Sequence, residues 1–149
     1  MGEKFKLKKK QAKEPKISKQ KNNGRDEKDS DRNDLEPLFS FKHLDLEESL
    51  KGCDKDVYLQ FVHRLQKLSS LDWKTINASG KHQYGFERIP IKQLRPRKLP
   101  SIVTDEMKSL IAFRYAGDNR PFICLIQSGV IFPIFIEAKF GDIYDHGSK

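Results

Sequence analysis

The chain has 149 residues and a mass of 17.3 kDa, which allows one domain with an appendage and excludes two full cores. Its 29 Lys/Arg residues outnumber 21 acids, and the resulting net charge of +8 favours polyanions such as RNA, DNA or ribosomes, or an acidic partner. Cys53 and Cys124 are far apart and indicate neither a disulfide framework nor a zinc site. The basic start lacks the apolar run of a secretory signal, and no stretch approaches the roughly 20 apolar residues of a membrane span. We therefore predict a cytoplasmic protein with no membrane partner.

Residues 1–35 differ from the rest in composition, with 12 Lys/Arg, 7 Asp/Glu and few apolar side chains. Such a segment buries too little surface to offset the entropy of ordering it, so we predict a disordered basic tail. The tail either binds phosphates non-specifically or acts only as a solubilising segment. Residues 36–149 hold 17 Lys/Arg against 14 Asp/Glu and are predicted to form a single α+β domain.

The first half of this domain has a helical pattern. Leu38, Phe39 and Phe41 predict an apolar anchor. A helix capped by Asp54 and running to about Leu68 follows from apolar residues at three- and four-residue steps. The stretch from Ser69 to Asp72 matches a capping box, so a second helix through Trp73 and Ile76 is predicted to end near Gly80. Together these helices form a predicted helical hairpin.

The second half has strand patterns at Tyr84 to Ile91, Leu110 to Tyr115, Phe122 to Gln127 and Val130 to Ile136. Gly117-Asp118-Asn119 predicts the turn before the last two strands, and Ser128-Gly129 predicts a tight hairpin between them. The last strand is apolar on both faces and should be central, whereas Pro133 indicates a bulge or an edge. The predicted fold is α+β, with an N-terminal helical hairpin packed on a twisted, mostly antiparallel sheet.

Several chemistries lack support in the sequence. It has no phosphate-binding glycine loop, dinucleotide fingerprint, HExxH, paired CxxC or nucleophile elbow. The histidines at 43, 63, 82 and 146 share no ligand spacing. We therefore predict neither a metal nor a cofactor.

Basic residues on the predicted sheet are the first candidates for a site. Antiparallel pairing across the short turn is expected to bring Arg114 near Arg120, and two adjacent guanidinium groups favour an anion such as phosphate between them. The alternative is that each arginine pairs with a nearby acid such as Asp118 or Glu106. Five more cations are candidates for RNA binding: Arg88, Lys92, Arg95, Arg97 and Lys98.

The C-terminal sequence IYDHGSK supplies the other candidates. His146 can exchange a proton near neutral pH, and Tyr144 can stack on a base. RNA carries its own attacking 2′-hydroxyl, so cleavage requires a base, an acid and cations on the phosphate, without a metal. The alternative is an exposed terminal histidine beside an edge-packing aromatic. His82 and Glu87 are further candidates, as an RNA contact and a general base, or else are solvated surface residues.

The stretch LIAFRYAGDNRPFICLIQSGVIFPIFIEAKFGDIYDHG, residues 110–147, follows two predicted helices and resembles the RelE/ParE-like toxin superfamily, especially the RelE-type mRNA interferases. The resemblance implies that Arg114 and Arg120 bind the scissile phosphate. It also implies that Tyr144 and His146 stack on the RNA base and take part in proton transfer. Cleavage of messenger RNA, often on the ribosome, and neutralisation by a cognate antitoxin would follow.

Three interpretations of function remain open at this point. The first is a metal-independent endoribonuclease of toxin type, with Arg114, Arg120, Tyr144 and His146 as its catalytic residues. The second is a non-catalytic RNA- or ribosome-binding module that uses the same basic surface. The third is a protein-interaction domain of mobile-element origin that binds a partner through the apolar strands.

Overall fold

The computed structural model describes residues 32–147, so nearly all of the predicted tail lies outside the described residues. The described part is α+β, with a five-stranded mixed sheet and three helices. In chain order the elements are β1 (Leu38–Phe39), α1 (Leu46–Leu50), α2 (Lys55–Ser69), α3 (Trp73–Ala78), β2 (Phe86–Pro90), a 3₁₀ turn (Ile91–Gln93), β3 (Ser109–Arg114), β4 (Pro121–Gln127) and β5 (Val130–Ile136).

The strand order in the sheet is β1-β5-β4-β3-β2. Strands β2 to β5 form an antiparallel series, and only β1 is parallel to its neighbour, β5. The predicted hairpin at Ser128-Gly129 is confirmed. Both turn residues have positive φ, 53° and 78°, as the tightest hairpin turns require.

Pro133 lies at a β-bulge, one of the two predicted alternatives. Ile123 pairs with Phe135 and Cys124 with Pro133, so one extra β5 residue, Ile134, fits between them. β1 pairs only with the start of β5, and α1 covers the rest of this edge. The Asp45 backbone N–H donates to the Ile134 carbonyl over 2.8 Å, and the buried Ser49 hydroxyl accepts from the Ile136 N–H over 3.2 Å. These bonds satisfy an edge that would otherwise be open.

Helices α2 and α3 cover one face of the sheet, here called the helical face. Phe61 of α2 packs edge-on against Tyr115 and Phe122, at ring-centroid distances of 5.9 Å and 5.3 Å. The predicted capping box at Ser69 is wrong, because Ser69 is the last residue of α2. Asp72 instead caps α3, its side chain accepting from the Thr75 N–H over 2.7 Å. A carboxylate at the N-cap position accepts this bond as well as a hydroxyl there would, so α3 begins at Trp73 without a capping box.

The opposite face, here called the loop face, is covered by irregular chain. Leu94, Leu99 and Val103 from the connection after β2, and Ile143 from the C-terminal segment, pack on buried residues of β3, β4 and β5. Strand β5 is therefore buried on both faces, as its composition predicted. Five of its seven residues are buried, and Val130 and Phe132 are half-buried. No helix in residues 32–147 is long and apolar enough to cross a membrane.

Candidate functional site

Arg114 and Arg120 do not form the expected phosphate clamp. The register pairs Arg114 with Pro121, and the Tyr115 N–H donates to the Arg120 carbonyl. The two arginines are thus offset by one residue, and successive residues of a strand point to opposite faces. Arg120 lies over the ring of Tyr115, on the helical face, whereas Arg114 follows the buried Ala112 onto the loop face.

Arg114 is held by neighbouring groups of the chain. Its side chain is only 9% exposed and forms an ion pair with Glu87 of β2. Nη1 donates to the Asn119 carbonyl over 2.8 Å, and Lys81 Nζ contacts the other Glu87 oxygen at 2.9 Å. Glu87 therefore shares one negative charge between two cations. Both of its oxygens are engaged in ion pairs, which leaves neither free for the general-base role that the sequence suggested.

Arg120 is engaged as well. Its Nε donates to Asp118 Oδ1 over 2.8 Å, and Nη1 donates to the Ala138 carbonyl. Burial acts to raise the pKa of Asp118, but the hydrogen bonds and charge of Arg120 outweigh it and hold that pKa below its usual range. The alternative from the sequence, pairing of each arginine with a nearby acid, matches this arrangement for Asp118, and Glu87 takes the place of Glu106.

His146 is anchored to a buried carboxylate. Its Nε2 lies 2.6 Å from Oε1 of Glu137, a residue that is 0% exposed. The other oxygen, Oε2, accepts from the backbone N–H groups of Ile143 at 3.2 Å and Tyr144 at 2.9 Å. The imidazole also stacks on Phe140, with ring centroids 3.8 Å apart. His146 is therefore an oriented side chain rather than a frayed terminal residue.

Tyr144 is next to His146 and half-buried. Its ring meets the imidazole edge-on at a centroid distance of 4.5 Å. Burial, followed by the negative charge of Glu87, raises the pKa of the Tyr144 phenol. Its hydroxyl therefore stays protonated near neutral pH and can donate a hydrogen bond. Asp145 between them is exposed, as expected.

The connection after β2 pairs with this C-terminal segment. Leu94 and Tyr144 form an isolated antiparallel bridge. The Arg95 N–H donates to the Ile143 carbonyl over 2.8 Å, and the Asp145 N–H donates to the Gln93 carbonyl over 2.9 Å. The structure thus places predicted RNA-binding cations beside Tyr144 and His146, two segments about fifty residues apart in sequence.

Five exposed cations form what we call the cationic strip, which follows the β2 edge of the sheet. One depression is lined by Lys92, Arg95 and Arg97, and an adjoining one by Arg88, Lys92 and Lys108. Lys92 belongs to both, so the strip is continuous. Asp145 lines the first depression, yet no described carboxylate lies within 4.0 Å of any strip cation.

The remaining predicted RNA contacts lie outside the strip. Lys98 is exposed in the same connection but lines neither depression. His82 lies near the β3–β4 turn, where its Nδ1 is 3.1 Å from Oδ1 of Asn119. This position is close to the Arg114 and Glu87 pair rather than to the strip.

Sequence reasoning missed two members of this region. Glu137 is the only acid in the apolar run VIFPIFIEA, and a carboxylate inside such a run is normally buried with partners, so the signal was present. Lys108 precedes a predicted strand, and only the fold brings it beside Lys92.

The comparisons with known proteins return no relatives: no family model, no curated protein and no solved structure matches the chain. Within residues 32–147, no group of three or more His, Cys, Asp and Glu side chains is arranged to hold a metal ion. The side chains that the structure brings together here are the strip cations, Tyr144 and the pair of His146 and Glu137.

Proposed function

We propose that this chain is an RNA-binding module that holds single-stranded RNA along the cationic strip. The observation that carries the proposal is the contrast between two sets of cations. Arg114 and Arg120 are neutralised by carboxylates of the fold, whereas the strip cations lack such partners among the described residues. Cations that neutralise phosphates release condensed counterions, which drives binding to nucleic acids.

The choice of single-stranded RNA rests on the aromatic groups beside the strip. Tyr144 and Phe140 lie next to His146, and a base can stack on such a group without regard to its identity. A duplex offers phosphates but keeps its bases stacked inside. We therefore expect a preference for single strands over duplex DNA of the same length.

The test compares two triple variants of the full chain that change its net charge equally. Lys92, Arg97 and Lys108 are replaced by alanine in the strip variant, and the exposed Lys55, Lys67 and Lys74 in the control variant. Each phosphate contact on a single strand contributes about 0.7 to the slope of log K against log salt. The strip variant should lose about 2 from this slope and at least tenfold in affinity, measured by anisotropy of a labelled RNA.

The control variant should stay within about twofold of the wild type, since its lysines lie on α2 and α3. Equal loss in both variants would mean that net charge alone drives binding, and no loss in either would place binding elsewhere. Either result overturns the proposal, as does tighter binding to duplex DNA than to single-stranded RNA.

A second candidate function is a metal-independent endoribonuclease of RelE type, and the pair of His146 and Glu137 favours it. A buried carboxylate that fixes an imidazole is a common way to set the tautomer and orientation of a general acid or base. In this candidate, His146 exchanges protons, Tyr144 positions the base, and the strip replaces Arg114 and Arg120 on the phosphate. The ribosome and a cognate antitoxin belong to this candidate as predictions from the resemblance, and the helical hairpin stays a prediction from the spacing of apolar residues.

Cleavage of RNA in the presence of EDTA, with and without ribosomes, tests the enzyme. His146→Ala should abolish cleavage while leaving RNA affinity within a few fold. Intact RNA under all of these conditions would refute the endoribonuclease and leave the binding module standing.

A further inference from the structure

A cavity of about 420 Å³ lies on the helical face, between α3, β2 and the turn that joins β4 to β5. Its volume is within the range of roughly 300–1,000 Å³ that small-molecule sites occupy. The cavity shares Arg88 and Ser109 with the depression that Lys108 lines. It therefore stands at one end of the cationic strip, on the face opposite His146.

The lining combines aromatic surface, amides and positive charge. Phe86, which is half-buried, and Trp73, which is only 7% exposed, are the aromatic residues. Asn33 and Asn77 supply the amides, and Arg32 and Arg88 supply the guanidinium groups. Within residues 32–147, no Asp or Glu lines the cavity, so the charge of the described lining favours an anionic ligand. An arginine fork matches the oxygens of a phosphate, and an asparagine amide can both donate to and accept from the edge of a base.

Backbone contacts hold these groups in place around the cavity. The Trp73 N–H donates to the Leu35 carbonyl over 3.0 Å, which fixes the segment carrying Arg32 and Asn33 against the start of α3. At the other side, an atom added at the Cα of Gly129 would lie 3.8 Å from the indole nitrogen of Trp73. The indole is thus positioned between the hairpin turn and the segment around residue 33.

From these observations we infer that the cavity binds one nucleotide, with its base on Phe86 and in contact with the exposed part of Trp73, and its phosphate at Arg32 and Arg88. The inference deepens the proposed function and rests on it for the choice of a nucleotide as ligand. The nucleotide comes either from solution or from the end of a bound RNA strand. In the second case, the strip carries the following phosphates away from the cavity.

Trp73 is the only tryptophan of the chain, so its fluorescence reports directly on this cavity. The probes are AMP, adenosine, ribose 5-phosphate and the oligonucleotide r(A)5, with calorimetry as a second readout free of optical artefacts. AMP should quench Trp73 and bind at least about tenfold more tightly than adenosine or ribose 5-phosphate, because base stacking and a charge-assisted phosphate contact each contribute about a factor of ten or more.

Two variants and one matched control locate the binding. Arg88→Ala and Asn77→Ala remove exposed side chains that line the cavity and should each weaken AMP binding, Arg88→Ala by about tenfold. Lys74→Ala removes an exposed cation adjacent to Trp73 that does not line the cavity, and should stay within about twofold. Binding of r(A)5 without binding of AMP supports an RNA end as the source, and equal binding of both supports a free nucleotide.

The results separate this inference from the proposed function. If the wild-type chain binds AMP but does not bind RNA, the cavity is supported and the binding module is refuted. The cavity alone is refuted if RNA binds without changing Trp73 fluorescence and if Arg88→Ala binds RNA no more weakly than Lys74→Ala does. Absence of both quenching and heat for AMP and r(A)5 at millimolar concentration also refutes it, as does equal binding of ribose 5-phosphate and AMP.

Discussion

Replacing Glu137 with alanine is expected to release the C-terminal segment from the loop face. The carboxylate is completely buried and accepts from the backbone N–H groups of Ile143 and Tyr144 as well as contacting His146. Removing it leaves two backbone donors without acceptors in a place that Ile143, itself 2% exposed, closes to water. The segment must then either bury unsatisfied donors or detach.

The expected cost follows from those donors. A buried polar group left unsatisfied costs about 1–3 kcal/mol, so two give about 2–6 kcal/mol. This is a large fraction of the roughly 5–15 kcal/mol by which a typical domain is stable. With a urea dependence of about 1–3 kcal/mol per molar, the unfolding midpoint should fall by on the order of 2 M.

Two matched variants separate the contributions of the carboxylate in urea unfolding followed by circular dichroism. Glu137→Gln keeps an oxygen for both backbone bonds and should lose less than half as much as Glu137→Ala. His146→Ala orphans no backbone group but leaves Oε1 of Glu137 without its partner, and should lose about 1–3 kcal/mol. If Glu137→Ala unfolds at the wild-type midpoint, or if His146→Ala is the more destabilising variant, the carboxylate is not the anchor.

Three further predictions concern the rest of the fold. Asp72→Ala should destabilise α3 whereas Ser69→Ala should not. The hydrogen bonds from Thr75 hold the pKa of Asp72 below its usual range. This stabilisation should therefore be present above the ordinary Asp pKa of about 3.9 and be lost as the pH falls through the lower pKa of the folded state. Gly85→Ala should cost more than about 2 kcal/mol in urea unfolding, because its Cβ would lie 2.1 Å from the Ser79 carbonyl oxygen; a folded-state stability equal to that of Gly117→Ala would contradict this. Burial raises the pKa of the Cys124 thiol well above its usual value, so Ellman's reagent should modify Cys124 only on unfolding, and its rapid modification in the native protein would contradict the packing.

The central sheet was the most predictable part of the fold, for reasons of local chemistry. The run from Val130 to Ile136 is too apolar for an exposed strand, and Ser128-Gly129 accepts the positive φ that a tight turn demands. The sequence predicts only an apolar anchor at the first strand, because two residues, Leu38 and Phe39, are too few to show alternation. Helix α1 was missed for the same reason, since its five residues expose both leucines.

The candidate site was predictable in its residue types but not in its geometry. Arg114 and Arg120 were expected to converge because the turn between them is short. Their faces depend on the register, and a shift of one residue reverses the outcome. Sequence could not supply that register, because it follows from how the turn places Tyr115 opposite Arg120. Conversely, pairing of the Arg95 region with Tyr144 depends on a contact between distant segments that no local pattern encodes.

The candidate functions are ranked by which cations already have a carboxylate partner. A guanidinium group that is already paired must lose a carboxylate before it can bind phosphate, and breaking a largely buried pair such as Arg114 and Glu87 leaves an uncompensated charge. The exposed strip cations need no such rearrangement, so they can bind phosphate without first losing a carboxylate partner. An endoribonuclease on this fold would therefore have to bring the scissile phosphate to the Arg95 side of His146. Its cleavage rate should fall in the strip variant, whereas Arg120→Ala should leave that rate unchanged.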